Sequence, residues 1–155
     1  MNKGNNESTL VEGLTEVEIQ AIETFYGAWK AKKPEWLDEI CSPDWQDIPL
    51  PPQQKEGPQG LKDIISFFIA NFPDVEIVVG EIVGTHERAG VRAKIIFTHD
   101  KELMGIAPTH TKVEVAIHEF HHLKDGKITH TWHLEDWFSL VNAAQALKKL
   151  NIKDR

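Results

Sequence analysis

Apolar residues recur along this chain with two different periods, and the change from one to the other divides it. Ile19, Ile22, Phe25, Tyr26 and Trp29 follow helical spacing behind Thr15 and Glu18, which stand three apart as in a capping box. That spacing predicts a first helix to about Lys32. Pro34 suits the first turn of a short second helix with Trp36, Leu37 and Ile40 as its buried stripe, stopped by Ser42-Pro43. A third helix opens at Gly57-Pro58, carries Leu61, Ile64, Ile65, Phe68, Ile69 and Phe72 on one face, and ends at Pro73. Between the second and third helices, Asp44 to Ile48 alternates and runs into Pro49, Pro51 and Pro52. This reads as a short edge strand entering an irregular loop of the kind that covers pockets.

Beyond Pro73 the period falls to two. Val75, Ile77 and Val79 open a long strand to about His86, with Gly80 as a candidate bulge. Glu87 to Gly90 turns the chain into a second strand, Val91 to His99, and residues 100–111 link it to a second pair of alternating runs. Helical spacing returns from Phe138 to Leu150. Helices first and a meander of antiparallel strands afterwards predict an α+β fold, with three N-terminal helices packed on one face of a curved antiparallel sheet. Residues 1–13 are polar and rich in Asn and Gly and read as a disordered leader, leaving residues 14–150 as one domain.

The second pair, Lys112 to Trp137, organises the rest. Its two alternating runs are joined by Lys124-Asp125-Gly126-Lys127, and Asp-Gly between such runs predicts a hairpin because both residues tolerate positive φ. The hairpin holds five of the eight histidines. His118-Glu119-Phe120-His121-His122 matches the H-E-x-x-H zinc-protease pattern, but that pattern works only on a helix, where residues four apart share a face. On a strand, at roughly 3.3 Å per residue, His118 and His122 stand about 13 Å apart, too far for one zinc. Register then decides which histidines share a face with Glu119. A two-residue turn puts Glu119 beside Trp132 and His130, with His133 on the other face. A three-residue loop with a Gly bulge pairs Glu119 with Thr131 and Ile117 with His133.

Composition narrows the partners. The net charge of −7 argues against nucleic acid, which is held chiefly by Lys and Arg. No apolar run approaches the ~20 residues that span a bilayer. One cysteine, Cys41, allows no internal disulfide, and the first 13 residues carry no apolar signal-like run, so a cytoplasmic location is expected.

Several motifs carry a family likeness. Thr98-His99, the run Leu103-Met104-Gly105-Ile106-Ala107-Pro108-Thr109, and Asp125-Gly126-Lys127-Ile128 followed by Trp132 and Asp136 resemble the SnoaL-like polyketide cyclases. These share a cone-shaped α+β fold with ketosteroid isomerase, scytalone dehydratase and nuclear transport factor two. The likeness runs from about Thr15 to Leu147 and favours the second hairpin register. It implies ring closure by an intramolecular aldol reaction inside an apolar pocket, driven by a carboxylate-type acid/base without cofactor or metal. By that resemblance the family's catalytic aspartate falls at His133, its polar pocket histidine at Glu119, an aromatic of the first helix at Trp29, and a polar residue after the second helix at Asp47. The glycine that follows Pro-Thr in the family is His110 here.

In the favoured register Val115, Ile117, Glu119 and His121 share the concave face with Thr129, Thr131 and His133. A carboxyl among apolar neighbours has its ionised form desolvated, and a nearby protonated imidazole pulls it back. Glu119 with His133 is therefore the candidate acid/base pair, and Asp47 a second carboxylate at the cavity mouth. Trp29, His99, Ile117, His121 and Thr131 are candidate ligand contacts. His118, His122 and His130 fall on the convex face, where Phe120 and Trp132 leave an apolar patch that a homodimer or larger homo-oligomer would cover. The one group that would suit a metal is Glu119, His121 and His133, a set matching non-haem iron or zinc. Two functions fit: a cyclase or related lyase or isomerase acting on a small hydrophobic carbonyl compound, and a non-catalytic binding protein with the same pocket.

Overall fold

The computed structural model describes residues 13–153, with side chains to residue 149. Helix α1 spans Glu16–Ala31 and begins with the capping box: the Glu18 carboxylate accepts from the Thr15 backbone N–H at 2.8 Å, and Thr15 Oγ1 accepts from the Glu18 N–H at 3.2 Å. Glu18 is nonetheless buried, because its other oxygen accepts from the Glu87 backbone N–H at 2.9 Å. One carboxylate thus caps the helix and ties it to a strand turn. Lys32 ends α1 in the left-handed conformation, and its N–H reaches the Ala28 and Trp29 carbonyls. A 3₁₀ turn over Pro34–Trp36 leads into α2, Leu37–Ile40, and α3 covers Gly57–Asn71.

Five strands form one sheet: β1 Cys41–Ile48, β2 Glu76–Thr85, β3 Arg88–Thr98, β4 Lys112–Lys124 and β5 Lys127–Glu135, in the order β1-β5-β4-β3-β2. The last helix, α4, spans Phe138–Lys153. This is the expected α+β cone, with one difference. The edge strand β1 pairs parallel with β5, so the sheet is mostly rather than wholly antiparallel. It also begins at Cys41, ahead of Asp44, with Pro43 tolerated because an edge strand has a free side.

Strands β3 and β4 bury every second residue, and Val91, Ala93, Ile95 and Phe97 face Val113, Val115 and Ile117 beneath the helices. Phe68 of α3 packs edge-on to Trp29 and Phe97, tying two helices to the sheet. Each such buried side chain contributes roughly 1.5–3 kcal/mol of hydrophobic stabilisation. Gly80 sits in the expected bulge, where pairing shifts between Val79 and Glu81. The β2–β3 reversal is tighter than the sequence suggests: His86 and Glu87 make it, Glu87 at φ 61°, and Ala89 and Gly90 already belong to β3. Of the leader, residues 1–12 lie outside the described residues, and Gly13 bridges to Thr85.

The hairpin departs from both expected registers. Asp125 and Gly126 form a two-residue turn at φ 50° and 76°, closing on the Lys124–Lys127 pair. Pairing then shifts by one residue, because His122 faces His130 while Leu123 faces Ile128, so Thr129 is left over as a bulge. Beyond it Glu119 stands opposite His133 and Ile117 opposite Glu135. The face shared by Glu119, His121, Thr131 and His133 is the one expected from the longer loop, although the turn is the shorter one. Thr129 leaves that face, and its hydroxyl donates to the His122 carbonyl at 3.2 Å.

Candidate active site

A cavity of about 440 Å³ lies between the helices and the sheet. Phe25 and Trp29 from α1, Leu61, Ile64 and Phe68 from α3, and Ile95 from β3 form its apolar wall. Two of its lining residues are exposed, Phe67 and Met104, and they mark where it opens. The polar groups gather at one end: Tyr26, Asp47, Glu119, Thr131, His133 and Glu135, with Gln54 from the proline-rich loop. An apolar chamber with a few convergent polar groups is the usual form of a small-molecule site.

Within that end there are two separate constellations. Glu119 accepts a hydrogen bond of 2.5 Å from the Tyr26 hydroxyl, which also lies 2.7 Å from His121 Nε2. His121 Nδ1 is 2.9 Å from Thr131 Oγ1, and that oxygen accepts from Trp45 Nε1 at 3.0 Å. Burial pushes the Glu119 carboxyl up to about 7, against the pull of the Tyr26 hydrogen bond. Burial pushes His121 down to about 3, so this imidazole is neutral. Tyr26 is driven well above its ordinary range by burial and by the neighbouring carboxylate and stays protonated.

The second constellation is charged. His133 Nδ1 lies 2.8 Å from Glu135 Oε1, and Nε2 lies 2.9 Å from the Pro49 carbonyl and 3.5 Å from Asp47 Oδ1. Acceptors at both ring nitrogens call for a proton on each. The Glu135 hydrogen bond, with the Asp47 charge, raises His133 to about 9 despite partial burial. Asp47, raised by burial, accepts from Gln54 Nε2 at 2.7 Å. Glu119 and His133 are cross-strand neighbours in one cavity, yet no hydrogen bond joins them; each is bonded elsewhere.

Trp29, Asp47, Ile117, Glu119, Thr131 and His133 all line the cavity, whereas His99 and His121 do not. His121 stands behind Tyr26 and Glu119. His99 is fully buried beside the 99–111 link, with Nδ1 accepting from the Thr109 N–H at 3.3 Å. Among the described residues no three His, Cys, Asp or Glu side chains are grouped to hold a metal. The Tyr26 hydroxyl stands between Glu119 and His121, and Pro49 and Glu135 occupy the His133 ring nitrogens. The H-E-x-x-H histidines fall outside the cavity lining, His118 exposed and His122 half-buried.

Sequence reasoning passed over Tyr26, Trp45, Gln54 and Glu135. Glu135 was within reach of the period-two rule, two residues beyond His133. Tyr26 sits on the apolar stripe of α1, where its hydroxyl gives no sign of a partner 93 positions away.

The family model for SnoaL-like polyketide cyclases matches residues 19–144. The chain belongs to that family. Its fold agrees with solved structures. TsrD from Streptomyces laurentii superposes with a TM-score of 0.75 at 18% identity, covering 84% of this chain and 96% of that one. IdmH from Streptomyces antibioticus gives 0.71 at 25% identity, covering 81% and 96%. A SnoaL-like polyketide cyclase from Agrobacterium tumefaciens gives 0.69 at 15% identity, covering 83% and 98%. No curated protein sequence matches the chain. None of its described helices is long and apolar enough to cross a membrane.

Proposed function

We propose that the cavity catalyses proton transfer on a small hydrophobic carbonyl compound, as a cyclase or a related lyase or isomerase. The observation that carries this reading is Glu119, a buried carboxyl facing an apolar chamber and poised near neutrality by burial against a single hydrogen bond. A carboxylate so placed takes a proton from carbon next to a carbonyl, and the C–H electron pair passes into the enolate. The enolate carbon then attacks a second carbonyl of the same molecule and Glu119 returns the proton to the alkoxide so formed, or, in a conjugated enolate, Glu119 returns it to a carbon farther along the system. His133 plays a different part from the one the sequence suggests. As an imidazolium it is no base at neutral pH; it offers fixed positive charge to a developing oxyanion, held between Asp47 and Glu135. Trp29 and Ile117 shape the apolar wall around the ligand.

Glu119→Gln keeps the shape and removes the base. Turnover of a ring-closing or double-bond-shifting carbonyl substrate falls by about 10²–10⁴-fold while ligand affinity changes little. Wild-type protein that binds such compounds and turns none over is a binding module, and the catalytic reading is then wrong.

The outer sheet face supports self-association. Phe120 and Leu134 are 66% and 72% exposed; Phe120 pairs with Trp132 across β4 and β5, and its ring and Val83 flank Gly90 of β3. A homodimer through this face would cover them, and sedimentation of wild type against Phe120→Lys measures it.

A further inference from the structure

From Trp45 on β1, behind the cavity wall, to Glu119 on β4, which lines it, the side chains form a hydrogen-bonded row with one complete way to place its protons. An indole N–H only donates, so Thr131 Oγ1 accepts from Trp45. The one proton of Thr131 then has a single remaining partner within reach, His121 Nδ1. A neutral imidazole that accepts at Nδ1 carries its proton on Nε2 and donates it to the Tyr26 oxygen. The hydroxyl proton of Tyr26 is thereby left for Glu119 Oε2. In the opposite sense, with His121 Nδ1–H donating to Thr131, the threonine proton would have no acceptor. Trp45, Thr131 and His121 are each 1% exposed, where an unpaired donor has no water to turn to.

We propose that Trp45 is a positioning residue: as a donor-only anchor it selects the Nε2–H tautomer of His121 and so keeps the Tyr26 hydroxyl aimed at Glu119. The bearing of this on catalysis rests on Glu119 as the acid/base group, while the proton arrangement stands without it. A fixed donor favours the ionised carboxylate, so the anchor holds the Glu119 midpoint lower than burial alone would set it. The other charged groups facing Glu119 are His133, which acts in the same direction, and Asp47 and Glu135, which oppose it. Gln54 adds no charge.

Nitrogen-15 NMR of the histidine rings in the full chain reads the tautomer, and carbon-13 NMR of the glutamate carboxyls reads the midpoint. Neither needs a substrate, so failure here is distinct from a failure of Glu119→Gln to stop turnover. His121 in the wild type is expected with a proton on Nε2 and none on Nδ1 at neutral pH. The opposite tautomer, or a protonated ring, overturns the proposal. In Trp45→Phe the His121 signal becomes a mixture of tautomers and the Glu119 midpoint moves to higher pH. Should the loss of the buried indole prevent folding, Thr131→Val, nearly identical in shape, breaks the same link and is expected to give the same two changes. A folded variant in which the tautomer is unchanged overturns the anchor. One in which the tautomer shifts while Glu119 titrates as before overturns the coupling.

Discussion

Two imidazoles stand on one face of one hairpin, a dozen residues apart in the chain, and the fold drives them in opposite directions. His121, enclosed by hydroxyl groups and aromatic rings, is pushed from 6.5 to about 3; His133, between two carboxylates, is raised from 6.5 to about 9. Burial acts against the charged form in both. Two things differ: His121 is the more fully buried, and the carboxylate nearest it, Glu119, stands 3.7 Å away beside the Tyr26 hydroxyl that bonds them both, whereas Glu135 lies 2.8 Å from His133 and favours its cation. The cavity's polar end is therefore built as a neutral half that holds Glu119 and a charged half that holds His133.

The largest effect is expected from opening the charged half. His133→Gln leaves Asp47 and Glu135 without their cation in a largely buried site, and denaturant unfolding should show a loss of about 3–5 kcal/mol. His121→Phe keeps the ring volume but strands the Thr131 hydroxyl, costing about 1–3 kcal/mol by the same measurement. A larger loss for His121→Phe than for His133→Gln would reverse the assignment of the two halves.

Dependence on pH separates them more finely. His133, raised in the fold, contributes stability that is complete below about pH 6.5 and lost as pH rises through 9. His121, depressed in the fold, contributes stability present above about 6.5 and lost as pH falls toward 3. The alkaline decline in unfolding free energy should thus shrink in His133→Gln, and the acid decline in His121→Phe. Glu119 is displaced about as far as His133 and in the same upward direction. With its folded value raised to about 7 from 4.5, wild type loses stability as pH rises through that window, so Glu119→Gln should gain on wild type from pH 4.5 to 7 and then hold level. A gain on going acid instead would mean that Glu119 is ionised more readily in the fold than out of it.

Much of the architecture was legible because it rests on local repetition. The capping box of Thr15 and Glu18, the bulge at Gly80 and the Asp125-Gly126 turn each sit within a few residues of the pattern that announces them. The face carrying Ile117, Glu119, Thr131 and His133 was legible too, although its register was not. A turn sets register only up to the first irregularity, and the bulge at Thr129 carries no signature that distinguishes it from regular alternation. His99 and His121 show the same limit from the other side. Strand alternation puts both indoors, but it cannot say whether an inward side chain meets a cavity or the wall behind one.

Taken alone, then, the order of residues determined which stretches become helix or strand, which face of each turns inward, and that a carboxyl and several imidazoles would be carried indoors together. Those properties depend on neighbours along the chain, within reach of a turn of helix or a pair of strand positions. What decided the chemistry was contact across long separations: Tyr26 reaching Glu119, Trp45 reaching Thr131, and Pro49 with Asp47 closing on His133. Proton affinity answers to solvent exclusion and to the charge of whatever lies within a few ångströms, and those are properties of a packed three-dimensional neighbourhood.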